Sequence, residues 1–551
     1  MRLRHRASQV RTRRNDAEGR PVSVSQQTEI EKKYDVDEDA TVPPLEGLPG
    51  VTRAGLPHTA VLQAVYFDTK RHTLASHRIT LRRRTGGTDA GWHLKLPPLD
   101  DATSATEPLQ RRELHAPLGQ PDVVPDSLLA YLQAYLRGAE VVPVVRLETS
   151  RTTHALYGED GVHLADLADD RVTAELLHRG QKGGAGGGGE KQHWREWELE
   201  LVHGDPGFFG PAEELLAKAG ARPAGHASKL ARALGGAAGS LPDAGPSRNG
   251  STPALAAGRK APAAAVVTAY LSGQIGEILA RDPGVRLEEP ESVHDMRSAL
   301  RRVRSVLSAY SKLYAAAPVR RLRDELKWLG QLLGAPRDAE VLLARLRGHL
   351  DDLTPGEGVD DVRAKVEHKV GGAYDDGYRQ LQEALRSERY FRLLDDLEAF
   401  RDKPPVRPDP VVPGRRVAAK AVAKAARRLR RSHKAAVRSK RGTAHETALH
   451  QVRKDAKKLR HVAESAAQVY GKRGDKVAKA AHRQQKILGN FHDAVIARDL
   501  LATVGSRQEP TPAAAAYAAL ETREDGLISS SEAQYRKARR KSRKLLRRGL
   551  G

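Results

Sequence analysis

The 551-residue chain has no cysteine, two methionines and only 4% aromatic residues. Without thiols there is no disulfide framework, thiolate zinc site or cysteine nucleophile, a composition compatible with a reducing compartment. The shortage of Phe, Trp and Tyr argues against a channel for single-stranded nucleic acid, which holds bases by stacking them on aromatic rings. Between 411 and 500 only Tyr470 and Phe491 occur. No run of about 18 uninterrupted apolar residues is present, and the basic stretch 1–20 lacks the apolar core of a signal peptide. The expectation is a soluble, cytoplasmic protein without a membrane partner.

What the chain does carry is positive charge: 93 Lys and Arg against 69 Asp and Glu, a formal charge of +24. The excess is uneven. Residues 1–240 hold 31 basic and 32 acidic side chains, whereas 241–551 hold 62 and 37. A Gly/Ala/Pro/Ser-rich stretch at 235–262 has too little apolar surface to bury and reads as a flexible linker. The expected organisation is a basic tail at 1–23, a first domain at 24–234, the linker, and a second domain at 263–551 with halves of about 263–403 and 414–551.

The first domain has strand-like runs of period two, at 60–67, 79–84, 142–149 and 194–202, separated by turn-rich segments, which predicts a β-rich fold. On a strand Glu29, Glu31 and Lys33 point to one face. The same spacing pairs Arg82 with Arg84, Arg111 with Glu113, Arg146 with Glu148, and Glu198 with Glu196 and Glu200; Lys95 stands alone. A solvated face of a half-buried sheet accounts for any one of these. Closing the strands into a barrel turns the charge inward instead, where it persists only when a charged ligand and metal ions compensate it. Carboxylate pairs suit Mg²⁺ or Mn²⁺, and Arg and Lys suit phosphate oxygens.

Glu29-x-Glu31-x-Lys33, Tyr66-Phe67-Asp68-Thr69, Leu81-Arg82-Arg83-Arg84, Leu94-Lys95, Glu198-x-Glu200 and Ser228-Lys229 together resemble the CYTH family, the triphosphate tunnel metalloenzymes, over about 210 residues. The resemblance implies an eight-stranded antiparallel β tunnel that hydrolyses a triphosphate with Mg²⁺ or Mn²⁺. It implies metal ligands at Glu29, Glu31, Glu198 and Glu200, with Asp169 rather than Asp166 as the fifth. It places phosphate contacts at Lys33, Arg82, Arg84, Lys95, Arg111, Arg146, Arg151 and Lys229, and a catalytic group of Glu29, Glu31 and Lys33. Two features depart from the family pattern: a glycine-rich stretch, Gly183 to Gly189, before the Glu198 strand, and His93 where the family often has Thr. The glycine run is not followed by Gly-Lys-Ser/Thr, so it is a loop and not a P-loop.

The second domain is helical by its 3.6-residue periodicity and contains a duplication. His294, Arg297, Arg301, Arg302 and Arg304 recur 156 residues later as His450, Arg453, Lys457, Lys458 and Arg460, and Leu333-Gly334 with Arg337-Asp338 recurs as Leu488-Gly489 with His492-Asp493. At about 100° per residue, His294, Arg297, Arg301 and Arg304 fall within about 80° of one another. Ala299, Leu300, Val303 and Leu307 lie opposite, so each copy predicts an amphipathic helix with one cationic stripe. A solvated helix face explains one such stripe, but repetition of the histidine with the charges weakens that reading. Residues 415–460 add 17 basic side chains against only Glu446 and Asp455, a density that a bound polyanion relieves. His445, Glu446 and His450 do not form a zinc motif, because five residues turn about 140° and separate the imidazoles.

This repeated motif resembles the CHAD domain, a histidine-containing helical domain often found beside CYTH. The resemblance implies two four-helix bundles related by a pseudo-twofold axis and a basic groove for inorganic polyphosphate. Its matched positions are His294, Arg297, Arg301, Arg302, Arg304, Lys327 and Arg337, and His450, Arg453, Lys454, Lys457, Lys458 and Arg460. The leading expectation is an inorganic triphosphatase tethered to a polyphosphate-binding module. The alternatives are a non-catalytic polyphosphate- or nucleic-acid-binding protein, and a tunnel enzyme acting on thiamine triphosphate or a nucleoside triphosphate.

Overall fold

The computed structural model describes residues 25–97, 109–177, 191–235, 261–408, 412–505 and 512–550. The tail 1–23, the glycine run and residues 236–260 of the linker lie outside these. The chain separates into two compact units, Met1–Asn249 and Gly250–Gly551.

Eight long strands build the barrel of the first unit, beside the two-residue strands Arg53–Ala54 and Arg222–Pro223: β1 (Ser25–Asp35), β2 (His58–Asp68), β3 (Thr80–Thr85), β4 (Gly91–Leu96), β5 (Leu109–Ala116), β6 (Val142–Tyr157), β7 (His163–Leu176) and β8 (Gln192–Leu201). They pair antiparallel in the order β1-β5-β4-β3-β2-β6-β7-β8, and β8 returns to β1 to close an eight-stranded barrel. Strand β1 makes the closure by pairing twice: Glu29 lies opposite Arg111 on β5, and Lys33 opposite Glu198 on β8. Closure leaves the main strands no free edge.

The barrel is apolar outside and charged inside. Tyr34, Leu167, Trp197 and Leu199 face outward, where the helix Phe209–Lys218 packs over them with Phe209, Ala212 and Leu216. Each such fully buried side chain contributes about 1.5–3 kcal/mol, so the stabilising core lies on the exterior and the interior is left for charge. One part of the interior is apolar. The helix Lys229–Gly235 sets Leu230, Ala233 and Leu234 against Ala64, Tyr66, Leu147 and Trp194, and this places Lys229 at the edge of the charged zone.

The described residues of the second unit form eleven α-helices: α1 (Ala263–Arg286), α2 (Ser292–Ala309), α3 (Ala316–Leu332), α4 (Gly334–Asp351), α5 (Glu357–Val366), α6 (Gly372–Leu385), α7 (Glu388–Asp402), α8 (Gly414–Arg438), α9 (Thr443–Tyr470), α10 (Lys472–Val504) and α11 (Pro512–Arg548). Helix α1 reaches a mean hydropathy of 1.3 over 18 residues, enough by length and composition to cross a membrane. Its apolar residues Val266, Leu271, Ile275 and Ile278 are nevertheless buried in the unit, and it carries an Asp282–Arg286 ion pair at 2.6 Å.

The duplication is visible as reciprocal contacts. Ala263 N donates to Val412 O at 3.0 Å, and Gly414 N donates to Ala261 O at 2.7 Å. Arg302 meets Glu464 at 3.5 Å while Lys458 donates to Ser308 at 2.9 Å. His461 Nδ1 lies 3.0 Å from Oγ of Ser305, its own counterpart in the repeat, which marks the pseudo-twofold axis. The second half is four helices, as expected, but the first follows the same path in more pieces. Helices α3 and α4 together correspond to α10, and the break falls where Pro336 has no N–H for the carbonyl of Leu332. Helices α5 and α6, joined by a π-turn at Glu367–Gly371, correspond to α11, and α7 has no counterpart among the described residues.

Candidate functional site

Eleven of the thirteen expected barrel residues line one cavity of about 140 Å³: Glu29, Glu31, Lys33, Arg82, Arg84, Lys95, Arg111, Arg151, Glu198, Glu200 and Lys229. Strand pleat explains the convergence of ten of them, since each has the inward parity of its strand, and Lys229 enters from the helix Lys229–Gly235. The cavity also takes in Tyr66, Thr80, Asp89, Glu113 and Ser228, which the site expectation had not assigned. Glu113 was within reach of sequence reading, because it shares the parity of Arg111 two residues earlier.

Two expected residues point the other way. Arg146 is on the outer face, paired with Glu175 at 3.2 Å, because it has the opposite parity to Arg151 on β6. Asp169 also faces outward and is clamped by Arg195 through two contacts of 2.8 Å. Its neighbour Asp170 faces inward instead, fully buried and bidentate to Arg151 at 2.7 and 2.6 Å. The signal was present: Asp169 shares parity with the outward-facing Leu167.

The cavity has two electrostatic zones. In one, the Lys229 ammonium lies 2.8 Å from Asp170, 2.7 Å from Glu196 and 2.7 Å from Glu198. Glu198 also meets Lys33, and Arg151 at 2.5 Å. Although burial acts to raise it, Glu198 is held well below the usual carboxylate range by Lys229, Lys33 and Arg151. In the other zone Glu29, Glu31, Glu113 and Glu200 share Lys95, and against burial Lys33 and Lys95 hold Glu31 down at about 2. Burial, reinforced by Glu113 and Glu31, outweighs Lys95 at 2.5 Å and pushes Glu29 up to about 7. Burial and repulsion from Glu29 also raise Glu200 to about 7. Glu31 Oε1 is buried without a hydrogen-bond partner.

Arg82 and Arg84 border this second zone. Burial and Arg82 depress Arg84 to about 9, and Asp89 pairs with it. His93 is 3% exposed, with Nδ1 3.0 Å from Glu113 Oε1 and Nε2 2.9 Å from the Asp89 carbonyl. Burial beside Arg82 and Arg84 keeps it neutral, down at about 2. His93 therefore lies between Glu113 and the hairpin that bears Asp89, and its single N–H donates to one of these two acceptors.

In the helical unit Ala299, Leu300, Val303 and Leu307 are buried as expected, but the cationic stripe divides. Arg297 and Arg301 of α2 meet Arg453 and Lys457 of α9 in a central cluster. Burial and mutual repulsion push Lys457 down to about 7 and Arg301 to about 10. Arg453 Nε is buried without a partner. His294 adjoins Arg337, which pairs with Glu340 at 2.9 Å and Glu291 at 3.1 Å. His450 packs against His492, the counterpart of Arg337, with ring centroids 4.3 Å apart and planes tilted by 47°.

The remaining residues lie to either side. Arg302 and Arg460 are both engaged by Glu464, at 3.5 and 2.6 Å. Arg304 faces Arg323, and Lys458 faces Arg428, Arg323 and Lys424, a second basic patch whose outer members the sequence reading missed. Lys327 and Lys454 are exposed. Successive turns of α2 and α9 meet different neighbours, which is why one stripe on a helical wheel becomes three places in the fold.

Family models match residues 27–219 as a CYTH domain and 269–502 as a CHAD domain. The chain is a CYTH–CHAD protein. Two uncharacterised proteins, from two strains of Mycobacterium tuberculosis, are each 39% identical to it over 487 residues, covering 86% of this chain and 88% of theirs. Among solved structures it is similar to PptA from Streptomyces chartreusis, at 20% identity and a TM-score of 0.43 over 50% of this chain and 99% of that one. It is also similar to the CHAD domain from the plant Ricinus communis, at 25% identity and a TM-score of 0.40 over 51% of this chain and 91% of that one.

Membership places the CYTH barrel among triphosphate-acting, metal-dependent tunnel enzymes, whether hydrolase or cyclase. The residues present fit a hard divalent cation in one zone. Glu29, Glu31 and Glu200 supply oxygen donors that repel one another, with one oxygen orphaned, and a hard divalent ion takes such oxygen ligands. Asp170, Glu196 and Glu198 also lie close enough together for a metal, but the Lys229 ammonium already occupies the centre of that trio.

Proposed function

We propose that the CYTH barrel is an inorganic triphosphatase using Mg²⁺ or Mn²⁺, joined to a CHAD domain that binds inorganic polyphosphate. The observation that carries this reading is the convergence of seven Lys and Arg side chains with six carboxylates on one cavity of a closed barrel. A bound divalent ion supplies charge neutralisation and an activated water. The chain supplies the rest: Arg82, Arg84, Arg111 and Lys95 hold phosphate oxygens, Arg151 and Lys229 brace Glu198, and Lys33 bridges Glu31 and Glu198. Guanidinium forks suit phosphate because they bind it bidentately.

Inorganic triphosphate is favoured over a nucleoside or thiamine triphosphate because Tyr66 is the one aromatic ring among the described lining residues, which leaves little on which an organic ring stacks. In the CHAD domain the central cluster and the patch around Lys458 supply cations for a phosphate chain. The rival reading is a non-catalytic polyanion binder. Phosphate release from tripolyphosphate with Mg²⁺ or Mn²⁺ decides between them: the Glu29→Gln/Glu31→Gln variant should lose activity at least about a hundredfold, with polyphosphate binding unchanged. No release by the wild type, or equal release by the variant, favours the binder.

A further inference from the structure

Asp338, at the start of α4, is a carboxylate set into the central cation cluster. It accepts a bidentate pair from Arg297, with Nη1 to Oδ1 at 2.6 Å and Nη2 to Oδ2 at 3.1 Å. Its side chain is 70% exposed while that of Arg297 is 18% exposed. The same carboxylate acts on Arg301, Arg453 and Lys457. It thus faces four cations, two from each copy of the duplicated motif. Its counterpart Asp493 faces Arg453 and His492 and is half-buried, so the duplication is unequal at this point. An exposed carboxylate that reaches inward to guanidinium nitrogens occupies the place, and carries the charge, that a phosphate group takes.

We propose that Asp338 is a selectivity carboxylate, a built-in competitor that a polyphosphate chain displaces from Arg297 and that a nucleic-acid strand displaces less well. The inference rests on the polyphosphate-binding reading of the CHAD domain. A bound chain must replace the carboxylate on Arg297 and then tolerate its repulsion. In polyphosphate a single oxygen separates neighbouring charged phosphorus centres, so several cations are engaged at once and offset that repulsion. A nucleic-acid backbone places a sugar between its charges and engages fewer. Excluding the wrong ligand with a repulsive element is a general route to specificity, and exposed acidic residues on a basic face are otherwise a loss of affinity with no return.

The test uses the full-length protein and measures dissociation constants for polyphosphate and for single-stranded DNA with the same number of phosphates, at matched salt. Asp338→Asn should bind polyphosphate about three- to tenfold more tightly, the scale of one partly exposed charge pair acting on several cations. DNA should gain by a larger factor, so the preference for polyphosphate narrows, and Asp338→Glu should return both towards wild type. Thermal unfolding checks that the Asn variant is folded, and Asp338→Ser serves as a second uncharged variant. Equal or weaker polyphosphate binding by the folded uncharged variants overturns the proposal, as does an unchanged preference. A wild type that binds neither polyanion overturns the binding reading itself, and the wild-type titration alone reveals this.

Discussion

At the scale of single residues the barrel interior is a problem of charge compensation. Lys229 shows it most clearly, because its side chain is 8% exposed and its ammonium meets three acids. Removing one partner of a buried ionic group leaves the others uncompensated at a cost of about 3–5 kcal/mol. Lys229→Met should therefore lower the urea midpoint of the barrel markedly, and added Mg²⁺ should restore more of it than it adds to the wild type, since the emptied trio then fits an ion. Equal Mg²⁺ effects in both proteins would remove that explanation. The alternation of Glu29, Glu31 and Lys33 was legible in the sequence because strand parity is a local property. The fifth ligand was sought between Asp169 and Asp166, and the inward-facing Asp170 was not considered. Adjacent acids on one strand always face opposite ways, and the decision required noticing that Leu167 belongs to the outer core.

Elements are positioned by contacts that single strands and helices do not reveal. Helices α8, α10 and α11 are joined by a buried chain in which His433 Nε2 lies 2.9 Å from Gln484 Oε1 and Gln484 Nε2 donates to Ser542 at 2.7 Å. Burial pushes His433 down to about 4 against Gln484. The unfolded histidine, near 6.5, binds the proton more readily, so this contribution to stability is present above about pH 6.5 and is lost as pH falls towards 4. Urea unfolding at pH 7.5 and 4.5 should show His433→Gln losing about 2 kcal/mol less than wild type across that interval. An equal loss would assign the acid sensitivity to other groups. The helical character of the second unit and its two halves were legible from periodicity and Pro/Gly breaks, and the four helices of a half came from the CHAD resemblance. The interruption of α3 and α4 was also written in the chain, at Pro336, whereas the π-turn between α5 and α6 has no such local signal.

On the scale of the whole molecule the chain is electrostatically divided, with net −1 in residues 1–240 from 31 basic and 32 acidic groups and net +25 in 241–551 from 62 and 37. A covalent connection would hold the barrel near a phosphate chain bound by the helical unit and raise its effective concentration. Cutting the chain after Gly239 should leave tripolyphosphate hydrolysis within about twofold while abolishing recruitment to immobilised polyphosphate, and the helical unit should show the steep salt dependence of polyanion binding. Recruitment by the isolated barrel would sink the tethering model. The sequence by itself determined the division into a β-rich and a helical part, the barrel's charged parity, the duplication and the excess of cations, because composition, period and repeats are properties of the chain. Only the tertiary structure decided which carboxylates are already neutralised by Lys229, which remain for an ion, and how two cationic stripes meet around Asp338. Those outcomes depend on register and on closure about the barrel and the pseudo-twofold axis, and neither is encoded within any one element.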